Sequence, residues 1–112
     1  MMQARGQFSE DLNQSSYILD EFVRKNISGR DAMIATSSLF VMTSHTMENV
    51  EDSAPPEKYL IYHNNTLQGL GALREYLWNM AKFYETNKIS YAIRARDNFN
   101  KSLYYYGKKD NA

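Results

Sequence analysis

Apolar side chains recur at alternating steps of three and four residues through residues 66–86, and this is the strongest helical signal in the chain. Residues at this spacing lie on one face of an α-helix. Asn65 and Gln68 have the spacing of a capping box, which marks a start. We therefore predict a helix over 66–86 that organises the core, with a buried stripe of Leu70, Leu73, Leu77, Met80 and Tyr84.

Two further helices are predicted on the N-terminal side of this one. Ser9 is a suitable N-cap for a first helix over 8–25, whose apolar stripe is interrupted at Ser15. Ser28 is a suitable N-cap for a second helix over 29–48. The first seven residues are expected to form a frayed end.

Residues 48–65 are predicted to be a connector. They are acidic and contain Pro55 and Pro56, which forbid a continuing helix and favour an extended path. Residues 59–63 then have the composition of a strand. We expect a proline-containing crossover between the second and third helices.

The C-terminal quarter allows two interpretations. Apolar and polar residues alternate from Ile89 to Arg96, which permits a β-hairpin. The same segment also carries a helical stripe of Ala92, Ala95, Phe99, Leu103 and Tyr106, and its composition suits a helix better than a strand. We favour a fourth helix over 90–106, with residues 108–112 frayed.

These elements predict a mainly α fold, a compact bundle of about four helices in a single domain of 112 residues. The alternative is an α+β fold with strands at 59–63, 89–96 and 102–106, the last two forming a C-terminal β-hairpin.

Composition narrows the function classes. The net charge is zero, which gives no global case for binding nucleic acid or membranes. The longest apolar run covers residues 39–42, far short of the roughly 20 residues that span a bilayer. The chain has no cysteine, and its N-terminus lacks the apolar segment of a signal peptide. We expect a small cytoplasmic protein without membrane association.

Candidate catalytic chemistry is sparse. The only histidines are His45 and His63. His45 precedes Glu48 by three residues, so the two could share a helix face, but a metal site needs three or four ligands and no motif places the others. His63 is interpreted as a turn residue or a hydrogen-bonding group at a helix start. We expect no enzyme activity, no cofactor and no metal.

The best candidate surface is the C-terminal quarter. Residues 88–112 carry a charge of about +4 and residues 1–87 about −4. Arginine and tyrosine are enriched among the residues that dominate protein interfaces. We predict a partner-binding surface formed by Arg94, Arg96, Lys101, Tyr104 and Tyr105.

The expected function is that of a small non-enzymatic binding or adaptor protein, which contacts a protein partner or a second copy of itself. The alternative is a nucleic-acid-binding accessory protein that uses the same basic, aromatic surface, because such surfaces also suit phosphates and stacked bases. Arg94 and Arg96 lie about 200° apart around a helix, whereas in a strand they would share a face.

Overall fold

A computed structural model of the protein describes residues 2–53 and 55–107. These residues form four α-helices: α1 (Met2–Val23), α2 (Gly29–Glu51), α3 (Leu60–Thr86) and α4 (Ile89–Tyr106). A short 3-10 turn, Glu57–Tyr59, precedes α3. The predicted mainly α bundle is confirmed, and the described residues contain no strand. The expected fraying of residues 108–112 lies outside the described residues.

The first helix begins earlier than predicted. It starts at Met2, so the expectation of a frayed end over residues 1–7 is wrong from residue 2 onward, and Ser9 is not an N-cap. The hydroxyl of Ser9 instead lies 2.5 Å from the phenol oxygen of Tyr106 on α4. Ser9 therefore joins α1 to α4 instead of capping α1.

The second helix starts where predicted. Ser28 is its N-cap, and the Ser28 Oγ atom accepts a hydrogen bond of 3.0 Å from the backbone N–H of Asp31. Gly29 follows directly and lies against the backbone of α3: a Cβ atom there would be 2.8 Å from the carbonyl oxygen of Tyr84. Only glycine allows this approach of the two helices.

The connector is shorter than the predicted range 48–65. α2 continues to Glu51 and α3 already begins at Leu60, which leaves the two prolines and the 3-10 turn as the crossover. The strand-like residues 59–63 belong to the turn and to the first helical residues of α3, so a strand there is excluded. Asn65 and Gln68 lie inside α3 and are not a cap.

The C-terminal quarter is helical, and the β-hairpin alternative is wrong. α4 begins at Ile89, and its last residue is followed by Gly107, whose N–H bonds to the carbonyl of Leu103. Ala95 is buried as predicted, but Leu103 is 41% exposed and Ser102 is fully buried in its place. The buried face of α4 therefore includes Ser102 and not Leu103, so it is rotated slightly from the face that the apolar residues predict.

α3 is the central element. It contacts all three other helices, most extensively α4 and then α2. The predicted core stripe is confirmed, since Leu70, Leu73 and Leu77 are completely buried. α4 packs mainly on α3, and α1 packs mainly on α2. The described residues extend 47 by 21 by 18 Å.

α1 is joined to the other helices partly through buried polar groups. Asp11 is completely buried and accepts hydrogen bonds from Thr43 Oγ1 (2.6 Å) on α2 and from Gln7 Nε2 (2.8 Å). Ser15 bonds to Tyr76 on α3. Burial of polar groups is tolerated when they are hydrogen-bonded, and here these bonds fix the position of α1.

Candidate functional site: two clefts beside the central helix

The predicted surface residues do not form one patch. Arg94, Arg96, Lys101 and Tyr104 are exposed and Tyr105 is half-buried. At about 100° per residue, Arg94, Lys101 and Tyr105 fall on one flank of α4. Arg96 falls on the opposite flank, and Tyr104 points away from α3. The structure thus brings together part of the predicted set and separates Arg96 and Tyr104 from it.

Tyr105 contributes to packing as well as to the surface. Its Cβ atom lies 3.3 Å from the position that a side chain on Gly69 would take, and the ring of Phe8 approaches the same point to 3.2 Å. The glycine therefore allows α1 and α4 to pack closely on α3. Tyr105 is therefore one of the side chains that pack against Gly69.

A cluster of cations and aromatic rings lies around Trp78 on α3. Trp78 is 43% exposed, and its ring meets the edge of Tyr91 on α4 at a centroid distance of 6.2 Å. The guanidinium of Arg94 lies 5.6 Å from the centre of the Tyr91 ring, and the Lys82 ammonium lies 5.4 Å from that of Trp78. Cations over ring faces are attracted by the ring quadrupole. These four side chains therefore hold one another in a preferred arrangement.

A small hollow continues this cluster toward α2. Its volume is about 220 Å³. The lining residues come from α2 and α3, and Trp78 and Lys82 belong to both the hollow and the cluster. The hollow is lined by Met33, Ser37, Phe40, Val41, Trp78, Ala81, Lys82 and Glu85. We call the combined surface of Phe40, Val41, Trp78, Lys82, Tyr91 and Arg94 the Trp78 face.

Sequence reasoning missed Trp78 as a surface residue. The helical spacing alone indicates this exposure, because Trp78 lies about 120° around α3 from the centre of its buried stripe. A large aromatic residue off the stripe must be either exposed or covered by another element. Its neighbours Phe40 and Val41 are on α2, and no local pattern connects them to α3, so the face itself could not be predicted.

A second, larger cleft lies on the other side of α3. Tyr76, which lines it, points about 160° away from Trp78 around the helix. The cleft is bounded by α1 and α4 and has a volume of about 480 Å³. Its lining is Ser16, Leu19, Phe22 and Val23 from α1, Tyr76, Met80 and Phe83 from α3, and Ala92, Arg96 and Phe99 from α4. We call it the α1–α4 cleft.

Burial raises the pKa of three side chains, Asp11, Tyr76 and Tyr84. Burial raises the pKa of Asp11, and its hydrogen bonds from Thr43 and Gln7 oppose that shift. Burial likewise raises the pKa of the Tyr76 phenol, and burial with a smaller effect of Tyr76 raises that of Tyr84. Both phenols are therefore neutral at physiological pH and can donate hydrogen bonds.

The two histidines differ in their exposure. His45 is exposed and lies 3.8 Å from Glu48, as the spacing predicts. His63 is buried within α3, so its interpretation as a turn residue is wrong. Within residues 2–53 and 55–107, no three His, Cys, Asp or Glu side chains are grouped so that they could hold a metal ion. No helix in that part of the chain is both long enough and apolar enough to span a bilayer.

Comparisons of the chain with protein-family models, with curated proteins and with solved structures found no match.

Proposed function

We propose that this protein is a non-enzymatic binding protein that docks a protein partner on the Trp78 face. The observation that carries the proposal is the exposed Trp78 ring, held between a lysine and a tyrosine–arginine pair beside a hollow. Such a surface suits a partner segment that offers an apolar side chain to the hollow and a carboxylate to Arg94. The absence of cysteine from the sequence fits action in a reducing compartment, and we place the docking in the cytoplasm.

The residue types on the Trp78 face favour a role in protein binding. Tryptophan, tyrosine and arginine are the residues that most often dominate the energy of protein interfaces. Trp78 and Tyr91 are rigid rings, and their contacts with Lys82 and Arg94 restrict the cations before a partner arrives. Ordering fewer side chains on association lowers the entropic cost of binding.

Only some of the predicted binding residues belong to the proposed docking surface. Arg94 is part of the Trp78 face itself. Lys101 lies seven residues later, two turns along the same flank, and extends the positive charge of the face. Tyr105 is on that flank but is half-buried, so it contributes at the edge. Arg96 and Tyr104 take no part.

The test is capture of a partner from the native source by the purified protein and three variants. Trp78→Ser and Arg94→Glu are expected to lose the partner. Tyr17→Ser is the matched control, because Tyr17 is an exposed aromatic residue on α1, which contributes nothing to the Trp78 face. Retention of the same proteins by Trp78→Ser and wild type would contradict the proposal.

Two further arms identify the class of partner. Nuclease treatment should not release the partner, and the salt dependence of binding should be shallow. A log–log slope of about one unit for each phosphate neutralised, with loss after nuclease, would instead show nucleic-acid binding. Sedimentation of the pure protein tests self-association: a dimer that Trp78→Ser dissociates would identify the partner as a second copy of the chain.

A further inference from the structure

α1 and α4 contact each other near the N-terminal end of α1, beyond one end of the α1–α4 cleft. There, Ser9 bonds to Tyr106, and the ring of Phe8 stacks on the ring of Tyr106 at 4.7 Å. Toward the C-terminal end of α1, residues of α1, α3 and α4 line the cleft together. Leu19, Phe22 and Phe99 from the two walls remain only partly buried. The cleft is therefore an apolar surface that the four helices do not cover among themselves.

The lining of the α1–α4 cleft contains few polar groups, and its one charged side chain is the positively charged Arg96. Apart from Arg96, the lining residues are apolar, aromatic or Ser16, and none of them is acidic. The phenol of Tyr76 is already bonded to Ser15. Arg96 is at the mouth, since 69% of its side chain is exposed. The cleft thus presents an apolar interior with one cation at its entrance.

The guanidinium of Arg96 is available to bind an anionic ligand. Its nearest carboxylate is that of the adjacent Asp97, 3.9 Å from Nε and itself exposed. An exposed pair at this distance contributes little energy. Arginine binds a well-placed carboxylate through two parallel N–H bonds, which the contact with Asp97 does not provide. A ligand carboxylate at the mouth would therefore gain an interaction that Arg96 now lacks.

The size of the cleft distinguishes between kinds of occupant. Two turns of a partner helix with its side chains would fill roughly 800 Å³, from a diameter of about 10 Å and a rise of 1.5 Å per residue. The cleft holds about 480 Å³. That volume lies within the roughly 300–1,000 Å³ typical of pockets that enclose a small molecule. A small amphiphile would fit whole, whereas a helix could insert only a few side chains.

From these observations we infer that the α1–α4 cleft binds a free monocarboxylate with an apolar body, such as a medium-chain acyl or aryl acid. The apolar body lies against Met80, Phe83 and Phe99, and the carboxylate meets Arg96 at the mouth. This site is on the opposite side of α3 from the Trp78 face and does not depend on the proposed protein docking.

The direct test uses two probes of equal chain length and opposite charge. Decanoate and decylamine are titrated into the full-length protein below their micellar concentrations, and binding is followed by calorimetry. Amide chemical shifts locate the site. We expect decanoate to bind at least tenfold more tightly than decylamine, with shifts in α1, α3 and α4 around the cleft. Equal binding of the two probes, no binding of decanoate, or shifts centred elsewhere would overturn the inference.

Three variants assign the contacts. Arg96→Gln should weaken decanoate binding about fivefold, as for loss of a largely exposed ion pair. Arg94→Gln removes the same charge from the other flank of α4 and should leave binding unchanged. Ala92→Trp should fill the cleft and abolish binding. If that variant fails to fold, Ser16→Trp blocks the cleft from the α1 wall. Full binding by a folded blocking variant, or equal effects of the two arginine changes, contradicts the site.

Discussion

The hydroxyl oxygen of Ser15 on α1 lies 2.6 Å from the phenol oxygen of Tyr76 on α3, and both side chains are buried. The bond is one of a set that joins α1 to each of the other helices. The set consists of Ser9–Tyr106, Asp11–Thr43 and Ser15–Tyr76. α1 is therefore positioned by specific polar contacts as well as by apolar packing, and these contacts set the wall of the α1–α4 cleft.

Removing one partner of the Ser15–Tyr76 bond should destabilise the protein. Ser15→Ala leaves a buried phenol without its bond, which costs about 1–3 kcal/mol in the free energy of unfolding. Ser16→Ala, one residue away and exposed, is the control and should have little effect. The Ser15→Ala, Tyr76→Phe double variant should lose less than the sum of the single losses, since no orphaned group remains. Strictly additive losses in urea denaturation would mean that the bond contributes nothing.

Asp11 should make stability depend on pH. Its pKa is raised from 3.8 in the folded protein by burial, so the folded state holds its proton more tightly than the unfolded state. Stability is then lost as pH rises from about 3.8 through the folded pKa. Asp11→Asn cannot ionise, so the stability of this variant relative to wild type should increase from pH 4 to pH 7. A difference that stays constant, measured by urea denaturation at both pH values, would show that the carboxylate is not penalised by burial.

Truncation of two neighbouring residues of α3 should destabilise the protein to different extents. Leu77 is completely buried, and Leu77→Ala should cost about 2–5 kcal/mol in unfolding free energy. Trp78 is the larger residue but is half-exposed, so Trp78→Ala should cost less than half as much. The comparison is made by chemical denaturation of both variants. A loss below about 1 kcal/mol at Leu77 would contradict the central role of α3.

Two glycines of α3 give a matched test of close packing. A Cβ atom on Gly71 would make an ordinary contact of 3.6 Å with Met47, so Gly71→Ala should stabilise the helix by up to about 1 kcal/mol. A Cβ atom on Gly69 would meet Phe8 and Tyr105 at 3.2 and 3.3 Å, so Gly69→Ala should destabilise the protein. Melting temperatures that shift in the same direction for both variants would contradict this difference in packing.

The wrong start of α3 and the misreading of Ser15 have a common physical cause. The first turns of α3 bury His63 and Thr66, and α1 buries Asp11 and Ser15. Buried polar residues do not register as an apolar stripe, although they occupy the positions that a stripe would fill. The apolar pattern therefore predicts a start of α3 at residue 66 instead of Leu60. It also shows Ser15 as an interruption, although Ser15 is a core contact.

Local signals were sufficient where capping and apolar bulk agree. Ser28 marked the start of α2, and the leucines of α3 marked the core. The sites were harder to predict, because each combines residues from three helices. Nearness in sequence groups Arg96 with Arg94, but the turn of the helix places Arg96 at the α1–α4 cleft and Arg94 in the Trp78 face.

The most direct test of the central claim is the affinity of the captured, purified partner for Trp78→Ala and for the control Tyr17→Ala. If Trp78 is the centre of the docking face, its truncation should cost about 2 kcal/mol or more, roughly a thirtyfold rise in Kd. Tyr17→Ala should change Kd by less than about twofold, since exposed residues outside an interface contribute little. Equal Kd values for wild type and Trp78→Ala, with both proteins folded, would contradict docking on the Trp78 face.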